Sequence, residues 1–150
     1  MIPTIREIEI RYGEPLPASL DRIGEAADVF KLLGAEMNAY PQEHFISLHL
    51  NNRNKIIARQ TVSIGSVSAT IVHPRDVFAP ALRAYAVRLV VVHNHPSGDP
   101  KPSPEDTTQT TRLADCGHLL GIELLDHIII GATGYYSFRT MQPFLFKVTI

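Results

Sequence analysis

A run of aliphatic residues that ends on two histidines and then on prolines constrains this chain most. Leu89 to Val92 has the length and β-branched content of a buried strand, and it gives way to His93-Asn94-His95 before Pro96, Gly98, Pro100 and Pro102 forbid regular structure. Side chains alternate between the faces of a strand, so residues i and i+2 share a face and both imidazoles can reach one point. That is a metal-ligand spacing. Past the loop, Ser103-Pro104-Glu105-Asp106 reads as a helix start, with Ser103 as N-cap, Pro104 at the first helical position and Asp106 at the third. Asp106 is then a carboxylate at a helix N-terminus, able to fold back toward the strand end. Taken one by one, plainer readings stand beside these: surface histidines in a proline-rich loop, and an acid that favours the helix dipole.

The remaining segments predict helices packed on a mixed sheet. Ile5 to Tyr12 alternates imperfectly before Gly13, Pro15 and Pro17, which reads as a short edge strand or an arm followed by a linker; residues 1–19 are therefore set apart from a domain over 20–150. Leu20, Ile23, Ala27, Phe30 and Leu33 recur at helical spacing, and Gly34 ends the pattern. Glu43 to Leu50 and Lys55 to Val62 read as antiparallel strands joined by a turn at Asn51 to Asn54, which places Glu43 at a strand's beginning. After Gly65 and the Ser/Thr-rich stretch Ser66 to Thr70, His73-Pro74 opens a helix to about Ala86, with Val77, Phe78, Ala81, Leu82 and Tyr85 inward. Pro80 should kink or shorten it. The strand Arg88 to Val92, the helix Pro104 to about His118 stopped by Gly121, and strands Ile122 to Ile130 and Tyr135 to Phe138 complete the order β-β-α-β-α-β-β.

Composition narrows the function classes. A chain of 150 residues suits one domain, long enough to bury about two-thirds of its unfolded surface without disulfides. With 14 basic and 15 acidic residues the formal charge is -1, and basic residues never adjoin, which weighs against tight duplex binding. The lone Cys116 excludes an intrachain disulfide, fits a reducing compartment and reads as a small core residue. No basic-then-apolar leader and no apolar run near about 18 residues is present, so the expectation is a cytoplasmic protein without a membrane span.

The arrangement His93-x-His95, seven residues, Ser103, two residues, Asp106 resembles the motif of the JAMM (MPN+, JAB1-type) zinc metalloproteases, and HNHPSGDPKPSPED is similar to their bacterial RadC branch. Glu43 in PQEHFISLHL stands where that motif expects an upstream glutamate. VHPRDVF at residues 72–78 and LDHIIIG at residues 125–131 extend the likeness from about Leu20 to Phe138. The resemblance implies a JAB/MPN, cytidine-deaminase-like α/β architecture and a zinc-dependent hydrolase of peptide or isopeptide bonds, with a polypeptide or isopeptide as substrate. It implies Zn2+ on His93, His95 and Asp106, a set of three ligands that leaves the open position of a catalytic zinc site. Glu43 is implied as the base and Ser103 as donor to an oxyanion. On local grounds Ser103 is equally well a helix N-cap, and Glu43 an exposed acid at a strand start.

Other histidines carry less. His44 and His49 on the expected strand, His73 before a proline and His118 near a helix end read as structural, whereas Asp126 and His127 are expected to be partly buried. His127 is a candidate to support the site, because metal-bound imidazoles need an acceptor on their other nitrogen. The tripeptide HNH is weak evidence for an HNH nuclease, whose residues are spread over a metal finger. A zinc deaminase needs His-x-Glu and Pro-Cys-x-x-Cys, and here His95 replaces the Glu and one cysteine is present. The alternatives that stand are a catalytically silent MPN-type interaction module and a DNA-repair-associated protein, as the RadC name implies. Longer RadC-type proteins carry a helix-hairpin-helix segment ahead of this region, a segment with no counterpart in these residues. Oligomeric state is not legible.

Overall fold

The structure, a computed structural model, describes residues 4–9, 11–15, 21–65 and 72–147. It is a mixed sheet of five strands in the order β2-β1-β3-β4-β5, flanked by helices on both faces. The strands are β1 (His44–Leu50), β2 (Ile56–Ile64), β3 (Arg88–Asn94), β4 (Glu123–Ile130) and β5 (Tyr135–Ser137). β3 and β4 run parallel, joined through the helix α3 (Pro104–Leu120), and all other neighbours are antiparallel. α1 (Ala26–Asn38) precedes the sheet, α2 (Pro74–Arg83) lies between β2 and β3, and a short α4 (Phe138–Met141) with a 3-10 turn at Pro143–Leu145 follows β5. The last two are too short to show a period in the sequence.

Alternation along the central strands divides the core. Ile46, Leu48 and Leu50 of β1 and Val90 and Val92 of β3 pack with Val29, Leu33 and Met37 of α1. Phe45, Leu89 and Val91 face the other way, onto Val77, Phe78 and Ala81 of α2 and Leu113 and Ala114 of α3. Both faces of β1 and β3 are buried, which explains why β3 reads as a continuous apolar run. Each fully buried aliphatic side chain contributes about 1.5–3 kcal/mol, so the two layers hold the sheet without a crosslink. Cys116 is half-buried against the α3 side of the core.

Several expectations shift. The Leu20 end of the first expected helix and Ser66 to Thr70 lie outside the described residues. α1 starts later than its period implied, because Asp28 accepts the amide N–H groups of Gly24 and Glu25 at 2.8 and 3.0 Å and fixes the start there. It also passes through Gly34, which is buried beside Leu33 and Met37; packing outweighs the roughly 1 kcal/mol that glycine costs a helix. β1 begins at His44, one residue after Glu43, and β2 and β3 each extend two residues further than expected, to Ile64 and Asn94. Pro80 does lie inside α2, and the helix ends soon after it, with a last bond from the Ala84 N–H to the Pro80 carbonyl at 2.9 Å. The chain then turns through Tyr85 at φ 53°, which leaves Tyr85 82% exposed and Leu82 49% exposed instead of inward. Among the described residues the arm at 4–9 and 11–15 forms no strand, and Ile5 and Ile8 are exposed. No described helix is long and apolar enough to cross a membrane.

Candidate metal centre

β3 ends inside the molecule, and that places its histidines. His93 is the last α3-facing residue of the strand and is fully buried. The His95 N–H donates to the Ile130 carbonyl at 3.0 Å, so pairing with β4 continues past the strand and holds His95 in register. On the far side of the loop the helix start forms as its residues dictate. Ser103 Oγ accepts the Asp106 N–H at 3.1 Å while Asp106 Oδ2 accepts the Ser103 N–H at 2.8 Å, a reciprocal cap that turns the carboxylate back toward β3.

The three groups meet. Asp106 Oδ1 lies 3.2 Å from His93 Nε2, Asp106 Oδ2 lies 3.3 Å from His95 Nε2, and the two Nε2 atoms are 3.0 Å apart. One ligand atom from each falls within 4.8 Å of the others, with His93 and Asp106 buried and His95 half-buried. His95 Nδ1 faces the Asp99 carbonyl at 2.8 Å, and since a carbonyl only accepts, Nδ1 carries a proton, so that in the neutral ring Nε2 holds the lone pair. Two imidazoles and a carboxylate, with lone pairs converging and one side open, suit a divalent cation of the zinc type.

Charge inside the cluster follows from these contacts. Burial alone would raise the Asp106 carboxyl, but the close approach of the His93 and His95 imidazoles, which can donate to it when protonated at Nε2, overcomes this and holds the group well below the usual carboxylate range. His95 is raised, first by its hydrogen bond to Asp106 and against the effect of burial, with the Asp99 carbonyl and the charges of Asp106 and Glu43 adding to it. Glu43 is thus near enough to act electrostatically on His95. It is half-buried, its carbonyl accepts the Gly65 N–H at 2.8 Å, and it sits directly before β1.

Other residues complete the surroundings. His93 Nδ1 is 2.8 Å from His127 Nε2, and His127 Nδ1 is 2.6 Å from Thr110 Oγ1 on α3. Phe45 stacks on His93 at 5.9 Å between centroids, and Phe138 stacks on His127 at 5.0 Å, so both rings are clamped in apolar surroundings. Burial holds His127 well below the ordinary histidine range, and the nearby His93 adds to this. His127 reaches this face because β4 carries an extra residue: Leu89 pairs with Leu124 but Val90 pairs with Asp126, which reverses the parity of the later β4 residues. Asp126, also buried, accepts from Ser137 Oγ at 2.6 Å and from the Arg139 N–H at 2.9 Å, tying the bulge to the β5–α4 junction.

Sequence reasoning missed Asn94 and Thr110. Asn94 lies between His93 and His95 on the opposite face and bonds the backbone at Gln42 and His44; Thr110 stands four residues after Asp106, the same-face spacing of a helix, and that was a readable signal. The other histidines stay outside the cluster: His44 stacks on Tyr40, His49 is buried in β1, His73 is the N-cap residue of α2 and His118 is exposed near the end of α3. A cavity of about 180 Å³ opens beside His95, walled by Met37, Tyr40, Asn94 and Ala132. A larger one, about 240 Å³, lies by Arg88 and Gly121 at the other end of β3 and includes none of the cluster.

Residues 23–143 match the family model described as the RadC-like JAB domain. Among curated proteins, the chain is 51% identical over 112 residues to a UPF0758 protein of Geobacillus thermodenitrificans, covering 75% of this chain and 50% of that protein. It is 48% identical over 117 residues to a UPF0758 protein of Shouchella clausii, covering 78% of this chain and 51% of the relative. A UPF0758 protein of Bacillus cereus is 51% identical over 112 residues, again 75% of this chain and 50% of its own. The chain spans about half the length of these relatives, and their names state no activity.

Proposed function

Since the chain belongs to the RadC-like JAB domain family, we propose that it is a zinc-dependent hydrolase that cleaves peptide or isopeptide bonds of a polypeptide substrate. The observation that carries this is the convergence of His93 Nε2, His95 Nε2 and the Asp106 carboxylate, candidate ligand atoms within 4.8 Å of one another with His95 only half-buried. His93, His95 and Asp106 would hold the ion, which would supply Lewis acidity and lower the pKa of a water in the site toward neutrality.

The chain's own groups do the rest. Glu43 accepts a proton from the attacking water and delivers it to the leaving nitrogen, general acid–base work worth about 10²–10⁴-fold. Ser103 Oγ already accepts from the Asp106 N–H, but its own proton is left to donate, and in this reading it stabilises the oxyanion. The burial of His93 and Asp106 excludes water from behind them, which leaves the half-buried His95 as the exposed side of the cluster.

The test has two parts. Purified wild type should carry about one equivalent of zinc by elemental analysis and His95→Ala should lose it. Glu43→Gln should keep the zinc and lose about two orders of magnitude or more in hydrolysis of an isopeptide-linked fluorogenic substrate. Equal zinc in wild type and His95→Ala defeats the metal site. Zinc bound by the wild type with no hydrolysis of any peptide or isopeptide tried would favour the catalytically silent interaction module.

A further inference from the structure

We infer that Thr110 and His127 are positioning residues that set the tautomer of His93 and so present its Nε2 lone pair to the metal. The inference rests on the metal site proposed above and begins at an atom whose role is fixed. Thr110 Oγ1 donates to the Asp106 carbonyl at 2.7 Å, and a carbonyl oxygen only accepts, so the single hydroxyl proton is engaged there. Thr110 Oγ1 must then accept from His127 Nδ1, 2.6 Å away. A neutral imidazole has one N–H, which leaves His127 Nε2 bare, and at 2.8 Å it accepts the proton on His93 Nδ1. In the neutral ring the nitrogen of His93 left without a proton is Nε2, the one 3.2 Å from Asp106 and 3.0 Å from His95.

Three features make this chain a built device. Its members come from α3, β4 and β3, so the relay joins the elements that carry Asp106 and His93. His93, Thr110 and His127 are all fully buried, which prevents water from taking over any link. Phe45 and Phe138 lie against the two rings and restrict their rotation. The acceptor behind the ligand is moreover an uncharged imidazole whose ring has no carboxylate partner among the described contacts. It orients His93 without adding a negative charge behind the metal, unlike a carboxylate in that place.

The test uses the full chain. Long-range 1H–15N NMR of the metal-free protein reads the His93 tautomer, and chelator competition reads Zn2+ affinity, in wild type, Thr110→Val, His127→Phe and His127→Gln. We expect His93 to be the Nδ1–H tautomer in wild type. Thr110→Val and His127→Phe should mix the tautomers and weaken Zn2+ binding by about 10–100-fold. His127→Gln, whose side-chain oxygen can accept from His93, should recover most of that loss; a merely space-filling role would instead favour Phe. If His127→Phe does not fold, Thr110→Val alone decides. An Nε2–H tautomer in wild type, or full affinity in Thr110→Val with an unmixed tautomer, overturns the inference. A wild type that takes up no Zn2+ defeats the metal reading separately, and the tautomer still decides this one.

Discussion

Asn94 grips the chain on both sides of Glu43. Its Oδ1 accepts the His44 N–H at 2.7 Å and its Nδ2 donates to the Gln42 carbonyl at 3.1 Å, so the residue between the two proposed histidine ligands also locates the proposed base. A strand makes this possible, because His93 and Asn94 face opposite sides and one tripeptide can serve the metal and the base at once. The side chain is buried, and its amide can make both bonds only in one orientation.

Asn94→Ala should therefore leave zinc content unchanged while it slows catalysis, because Glu43 loses its hold. Removing the amide also leaves the two backbone groups short of a partner, which should lower stability by about 1–3 kcal/mol. Elemental analysis, a denaturant melt and hydrolysis of the isopeptide substrate measure the three quantities. Loss of zinc in this variant would show that Asn94 acts on the ligands and not on the base.

Gly131 abuts the loop that holds His95. A Cβ there would lie 2.5 Å from the Gly98 carbonyl oxygen and 2.7 Å from Pro100 Cδ, both on a segment also tied by the Ala132 N–H to Gly98 at 2.9 Å. Gly131→Ala should push residues 96–100 outward, move the Asp99 carbonyl that orients His95, and weaken Zn2+ affinity more than it lowers the stability of the metal-free protein. Chelator competition beside a urea melt decides it; equal affinity to wild type would mean that the loop tolerates displacement. Glycine in place of Pro100 and Pro102 should act in the same direction, since those prolines limit the loop's conformations.

His49 predicts a pH effect away from the site. Both its ring nitrogens are buried without a hydrogen-bond partner among the described residues, and burial pushes it down from the usual 6.5 to about 4. The unfolded chain then takes up the proton first as pH falls, so stability from this group is complete above about pH 6.5, declines to about pH 4 and is flat below. The full loss is about 3 kcal/mol. His49→Leu should remove that part of the acid sensitivity without lowering stability at pH 7, because no polar atom is left buried and unpaired. Urea midpoints of both proteins at pH 7 and pH 4.5 test it, and parallel declines would refute it.

Nucleic acid offers a further check. With a net charge of -1, the chain should bind duplex DNA no more tightly than nonspecific contacts allow, about 10⁻⁴–10⁻⁶ M at physiological salt. A titration at several salt concentrations measures this. Tight binding with a steep salt slope would require a basic face assembled by the fold.

The sequence by itself determined the parts of the site that depend on local geometry. Period-two alternation brings His93 and His95 to one side, and Ser103-Pro104 starts a helix whose third residue is Asp106; both follow from steric and capping rules that act over a few residues. The order of strands and helices was legible for the same reason. Tertiary structure alone decided what depends on register and on packing between distant segments. The extra residue in β4 turns His127 toward His93, Asn94 reaches back about fifty positions to Gln42 and His44, and Gly34 stays helical because Leu33 and Met37 beside it are buried. Periodicity states which face a residue occupies, but the neighbour across the sheet is set by pairing register, and that is a property of two strands at once. Tyr85 shows the same limit from the other side: its place in a helical pattern pointed inward, and a single left-handed backbone angle after Pro80 sent it to the surface.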